Sequence, residues 1–172
     1  MPPVAVGEGR LKVKAEGLPD ASCGFVVGDA PRPDGPVLVF PHEDDSLRRA
    51  AQTFADLWQE VTGVRPRDAE TRPETGDAVV FGSECVNRET LRRRLDGTLG
   101  PNRLKEGSDG YQLRSVEAKG WTTLFVIGAR PRAVFYAVYR FFELQADCAY
   151  FWDGDRIPKG SAPDLRGLDL TE

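Results

Sequence analysis

Residues 111–127 carry the sequence YQLRSVEAKGWTTLFVI, in which two strand patterns flank a turn. Polar and apolar residues alternate from Tyr111 to Val116, Lys119-Gly120 can turn the chain, and residues 122–127 are β-branched or apolar. This pattern predicts a β-hairpin. A helical pattern of apolar residues follows over 131–146, with Pro131 acceptable in the first turn.

The preceding part of the chain also predicts alternating strands and helices. Apolar runs at 37–40 and 77–82 predict strands, and residues 46–62 carry apolar side chains at helical spacing. We expect Asp45 or Ser46 to cap this helix and Gly63 to end it. Weaker patterns predict strands at 9–16, 25–27 and 148–152 and a short polar helix at 87–95.

Together these elements predict an α+β or α/β fold, with a single mixed β-sheet and two long helices packed on one of its faces. The apolar spacing along the two helices selects the residues that we expect in the core: Phe54, Leu57, Trp58, Val138 and Phe142.

Composition argues against a nucleic-acid partner and a membrane partner. The chain has 172 residues, a net charge of −4 and a pI near 5.2, so we expect no nucleic-acid partner, because binding to phosphates needs a concentrated basic surface. No apolar run approaches the roughly 20 residues that span a bilayer, so we expect no membrane partner. The N-terminal residues show no signal peptide.

Cys23, Cys85 and Cys148 are widely spaced, and we expect buried thiols, with one disulfide plus a free thiol as the alternative.

Two acidic stretches are candidates for metal or acid–base chemistry. The single histidine, His42, precedes Glu43-Asp44-Asp45, but acidic residues here also suit the start of the following helix. Asp153-Gly154-Asp155 lacks the other ligands of a calcium loop and is better explained as a turn. The sequence therefore predicts no catalytic residues, no metal site and no cofactor.

Aromatic side chains offer a different kind of site. Trp121 and residues 150–152 could stack on a sugar ring. We expect Tyr150 and Phe151 to pack in the core, whereas Trp152 precedes Asp153-Gly154 and is the better candidate for exposure. Trp152 is thus a candidate carbohydrate-binding residue, and a free-standing carbohydrate-binding module is one possible function.

Three stretches, in order, resemble the small domain that precedes the catalytic barrel in beta-N-acetylhexosaminidases (hexosaminidase domain 2-like) and alpha-glucuronidases. They are residues 50–63, ending in Thr62-Gly63; residues 77–82; and residues 109–158, which include the predicted hairpin and second helix. The resemblance implies a non-catalytic accessory domain of a glycoside hydrolase, whose partners are the catalytic barrel of the same polypeptide and, through it, carbohydrate. It also implies an extracellular or periplasmic location.

The end of the chain resembles the join between the two domains. Pro163-x-x-Arg166-Gly167 is similar to the segment that enters the barrel, where the arginine reaches sugar hydroxyls. The resemblance therefore implies that Arg166 binds substrate, that the accessory domain covers 1–160, and that 161–172 is a linker and the start of a catalytic barrel. We expect this end to be mobile, or paired with a neighbouring molecule, when the barrel is not present.

Overall fold

A mixed sheet carries two helices on one face in the computed structural model, which describes residues 35–83, 97, 99 and 104–172. All of these belong to one of the two units into which the chain divides, Pro31–Glu172. The strands among the described residues are β1 (Val37–Val39), β2 (Arg67–Ala69), β3 (Ala78–Ser83), β4 (Tyr111–Ala118), β5 (Trp121–Gly128) and β6 (Asp169–Thr171). The helices are α1 (Asp45–Thr62) and α2 (Pro131–Ala146).

The order of the strands across the sheet is β2-β1-β3-β5-β4-β6. The first four run parallel to one another, and β4 is antiparallel to both of its neighbours. The predicted hairpin is β4–β5, and both turn residues, Lys119 and Gly120, have positive φ, as in a two-residue type I′ turn. The predicted fold, an α+β sheet with two helices on one face, is confirmed.

Residues next to α1 in the sequence determine where the helix begins and ends. The Asp44 carboxylate accepts hydrogen bonds from the backbone N–H of Ser46 and Leu47, both at 2.9 Å, which caps the first turn. The cap is therefore Asp44, one residue before the predicted Asp45 or Ser46. Gly63 ends the helix as predicted, because its φ of 80° turns the chain away while its N–H still bonds Gln59.

The core lies between the helices and the sheet. Phe54 sits at its centre, with its ring centroid 5.0 Å from that of Phe142, 5.3 Å from that of Phe141 and 5.7 Å from that of Phe81. All five side chains predicted for this core are buried. Alternate strand residues, including Val80, Phe125 and Ile127, are buried on the opposite face of the sheet, where Leu99 joins them. Strands that are buried on both faces need continuous apolar runs, which explains why 78–81 and 124–127 lack polar residues.

The C-terminal strand belongs to this sheet. β6 pairs antiparallel with β4, so that Leu113 lies opposite Leu170, and Leu165 is buried in the core. The Ser115 hydroxyl accepts a hydrogen bond from the N–H of Leu168 and donates one to the carbonyl oxygen of Leu165. The expectation of a mobile or borrowed end was wrong, because the outer edge of β4 offers unpaired backbone groups that this segment can satisfy. That a catalytic barrel begins within 161–172 stays a prediction.

Other differences from the sequence-based predictions are local. Residues 148–152 are not a strand, since only Ala149 forms a bridge, with Arg156. The edge strand β2 was not predicted. The predicted elements at 9–16, 25–27 and 87–95, and the residues Cys23 and Cys85, lie outside the described residues.

Candidate functional site

Trp152 lies on an exposed turn directly after α2. Ala149 and Arg156 close the turn by exchanging backbone hydrogen bonds of 2.8 and 3.0 Å. The Arg156 guanidinium also donates to the Asp147 carboxylate at 3.1 Å. At the tip of the turn Trp152 is 97% exposed, and Phe151 is 58% exposed. The predicted exposure of Trp152 is confirmed, and the residue before it, Phe151, is exposed as well.

The predicted packing of Phe151 in the core was wrong, and the cause lies at the end of α2. Asp147 adopts a left-handed conformation (φ 52°) that redirects the chain, after which Cys148 is buried as a free thiol. Burial raises the pKa of this thiol. Tyr150 is half-buried, and its ring lies edge-on to that of Tyr139 with the centroids 4.7 Å apart. Phe151 and Trp152, which follow it, are exposed.

Arg166 lies on a separate segment, the approach to β6. Its guanidinium holds the Asp164 carboxylate in a two-pronged ion pair, with Nε 2.9 Å from Oδ1 and Nη2 3.1 Å from Oδ2. The backbone N–H of Arg166 also donates to Oδ1 at 2.9 Å. Burial raises the pKa of Asp164, but these hydrogen bonds outweigh it and the pKa is lowered. The guanidinium is therefore oriented, and about half of its side chain is exposed.

His42 borders a groove of about 360 Å³ between α1 and the edge strand β2. Its Nδ1 lies 3.4 Å from the Glu70 carboxylate, and its ring packs against Phe40 with the centroids 4.9 Å apart. The acidic residues next to it serve the helix, because Asp44 caps α1 and Asp45 pairs with Arg48. Among the described residues no group of three or more His, Cys, Asp or Glu side chains could hold a metal ion.

Sequence reasoning missed a cluster of charges at the start of α2. Arg130 and Arg132 both donate to the carboxylate of Asp109, which lies just before β4. The hydrogen bond from Arg132 lowers the pKa of Asp109 most, partial burial opposes this, and Arg130 adds to the lowering, so that the pKa falls from 3.8 to about 2. The cluster ties the loop before β4 to the first turn of α2.

A second polar cluster fastens the end of the chain to α2. The Tyr111 hydroxyl donates to one carboxylate oxygen of Glu172, and the Nε of Arg140 lies 3.5 Å from the other. Arg140 also pairs with Glu143 at 3.1 Å. Burial and the Glu172 carboxylate both raise the pKa of Tyr111, so this hydroxyl stays protonated as a donor.

Helix α2 also exposes apolar side chains that were not predicted. Tyr136 is 47% exposed, Tyr139 38% and Leu144 46%. Leu144 is apolar like the buried residues of this helix, and only the packing of the helix shows that it faces outward. Neither described helix has the length and apolar character to cross a membrane.

No protein-family model and no curated protein sequence matches the chain. Among solved structures, it is similar to a mutant beta-hexosaminidase of Streptomyces plicatus in complex with its product GlcNAc, at 16% identity and a TM-score of 0.39, over 64% of this chain and 17% of that one. A GH20 beta-N-acetylhexosaminidase from Streptomyces coelicolor matches at 14% identity and a TM-score of 0.46, over 80% and 22%. A GH115 4-O-methyl-alpha-glucuronidase with specificity for decorated arabinogalactans matches at 15% identity and a TM-score of 0.47, over 76% and 17%.

The chain therefore spans between 17% and 22% of the length of these enzymes. At these identities and TM-scores the similarity concerns the fold alone, and it is a coarse one.

Proposed function

We propose that this chain is a non-catalytic accessory domain of a glycoside hydrolase, packed beside a catalytic barrel in the same polypeptide. The observation that carries the proposal is the order of the three stretches that resemble such domains. In the structure they occupy α1 with its Gly63 end, then β3, then the β4–β5 hairpin with α2 and the turn that follows. These stretches thus supply both helices and three of the strands against which the helices pack.

The positions of several carboxylates support a non-catalytic role. Hydrolysis of a glycosidic bond needs two carboxyl groups facing the bond, or a substrate that supplies one of the two functions. Here Asp44 caps a helix, Asp109 is held by two arginines, and Asp164 is held by Arg166. These acids have structural partners, so we assign the catalytic pair to the barrel.

Two residues carry the proposed contact with carbohydrate. Asp164 orients the guanidinium of Arg166 by accepting from its Nε and Nη2. The guanidinium has five N–H donors in a fixed planar geometry, and those not directed at Asp164 suit a pair of sugar hydroxyls. Trp152 presents a flat exposed ring of the kind that stacks on a sugar face. The domain would in this way contribute to the rim of the substrate site.

The full open reading frame that encodes this chain tests the proposal. We expect it to continue past Glu172 with strand–helix alternation over about 250 residues, the usual length of a barrel. We expect the encoded protein to hydrolyse aryl glycosides when residues 1–172 alone do not. A reading frame without such a domain would overturn the proposal.

The aromatic turn favours a second candidate, a free-standing carbohydrate-binding module. Trp152 and Phe151 side by side on a closed turn are its specific support. In that case residues 1–172 would bind an oligosaccharide by themselves, and Trp152→Ala would abolish binding in isothermal titration calorimetry. For an accessory domain we expect such binding only in the full protein.

A further inference from the structure

The exposed large apolar side chains of the described residues are concentrated in one part of the chain. They are Tyr136, Tyr139 and Leu144 on α2 and Phe151 and Trp152 on the turn directly after it. Isolated exposed apolar residues are ordinary, but a concentration of them on one element marks a surface that meets a partner.

Two of these residues share a row of α2 with the residue that holds the end of the chain. Tyr136, Arg140 and Leu144 are spaced four residues apart and therefore follow one another along one side of the helix. Arg140, in the middle, lies with its Nε 3.5 Å from the Glu172 carboxylate. The last residue of the chain is thus held beside the midpoint of the row, which we call the α2 row.

Backbone hydrogen bonds also hold Glu172 in place beside Tyr111. The N–H of Tyr111 donates to the carbonyl oxygen of Glu172 at 2.9 Å, and the N–H of Glu172 donates to the carbonyl oxygen of Tyr111 at 3.0 Å. A polypeptide that continues from Glu172 must therefore leave the sheet next to the α2 row.

We infer that the α2 row is the surface on which the domain following Glu172 docks. The inference rests on the proposed function, and it adds which face of this domain the barrel covers. Tyr136 and Leu144 would supply the apolar contact on either side of Arg140. The Arg140–Glu172–Tyr111 cluster would fix the exit of the chain, and Trp152 would remain at the rim for carbohydrate.

Nitration with tetranitromethane tests the inference, because it reports on the exposure of individual tyrosines. In residues 1–172 we expect Tyr136 to react readily and the buried Tyr111 to react slowly. In the full protein we expect Tyr136 to lose most of its reactivity. A paired variant, Tyr136→Ser with Leu144→Ser, should lower the melting temperature of the full protein but not that of residues 1–172. The matched control, Arg49→Ser with Glu60→Ser on the exposed side of α1, should lower neither.

The outcomes separate this inference from the proposed function. A full protein that hydrolyses glycosides while Tyr136 stays fully reactive would overturn the docking surface alone. A reading frame without a second domain would overturn both. Protection of Tyr136 in residues 1–172 together with a dimer in sedimentation would also overturn the inference, because the row would then pair two copies of this chain.

Discussion

Gly110 approaches the last residue of the chain so closely that a Cβ at position 110 would lie 2.9 Å from the carbonyl oxygen of Glu172. It would also lie 3.0 Å from the Ser108 hydroxyl. Real Cβ atoms essentially never come within 3.0 Å of such an oxygen, so a side chain at residue 110 would force the backbone at Glu172, directly after β6, to shift.

We therefore expect Gly110→Ala to weaken the pairing of β6 and to lower the free energy of unfolding by about 1–3 kcal/mol, the usual cost of overpacking. Urea denaturation measures the loss. In a chain shortened after Asp164, which lacks β6, the same substitution should cost less. An equal cost in both chains would show that the contact with Glu172 is not the cause.

The aromatic centre of the core makes a second prediction. Phe54 and Phe142 are fully buried and in ring contact, so replacing either by Ala leaves a cavity between the helices and the sheet. We expect Phe54→Ala or Phe142→Ala to cost about 3–5 kcal/mol in urea denaturation. Gln52→Ala, on the exposed side of α1, is the control and should be near neutral. An unchanged midpoint for either Phe variant would mean that the helix faces are assigned wrongly.

The cluster around Asp109 makes a prediction about pH. The pKa of Asp109 is lowered to about 2 in the folded chain, mainly by Arg132. A carboxylate whose pKa is lowered on folding contributes stability that is complete above its unfolded pKa of about 4 and is lost as the pH falls through the folded pKa. We therefore expect Asp109→Asn to reduce the fall in stability between about pH 4 and pH 2.

Thermal unfolding across this range measures the effect. Arg132→Gln should act in the same direction as Asp109→Asn, since it removes the donor that lowers the pKa most. Identical pH profiles for the wild-type chain and Asp109→Asn would contradict the prediction.

The proposed sugar contacts make a fourth prediction. In the full protein, we propose that the Arg166 guanidinium donates hydrogen bonds to sugar hydroxyls. Arg166→Ala removes these bonds and should weaken substrate binding by about 1.5–3 kcal/mol, the scale of a hydrogen bond to a charged group. Asp164→Asn, which weakens the orientation of Arg166 without removing it, should have a smaller effect. A full protein that binds and cleaves equally well with Ala at 166 would exclude the role of Arg166 and leave the domain assignment intact.

Elements with a local pattern could be predicted from the sequence. Helix α1 follows from apolar residues at helical spacing and a glycine at its end, and the β4–β5 hairpin follows from alternation on either side of Lys119-Gly120. Strand β2 could not be predicted, because Arg67-Asp68-Ala69 has no apolar pattern and is held by its backbone pairing with β1. The place of β6 depends on the outer edge of β4, which is distant in sequence.

The candidate site was predictable to a smaller extent. The exposure of Trp152 followed from the polar residues after it, whereas that of Phe151 depends on the left-handed Asp147 and on the bridge between Ala149 and Arg156. The partner of Arg166 is local, since it is Asp164. The ion pair between Arg140 and Glu172 joins two distant parts of the chain, and no local sequence pattern in either part predicts it.

An assay of purified residues 1–172 on aryl glycosides tests whether this chain supports catalysis without performing it. We expect no turnover above buffer for the wild-type chain and the same result for His42→Ala. Robust turnover that disappears in His42→Ala would contradict this expectation, because the groove beside His42 would then be an active site and the chain an enzyme in its own right.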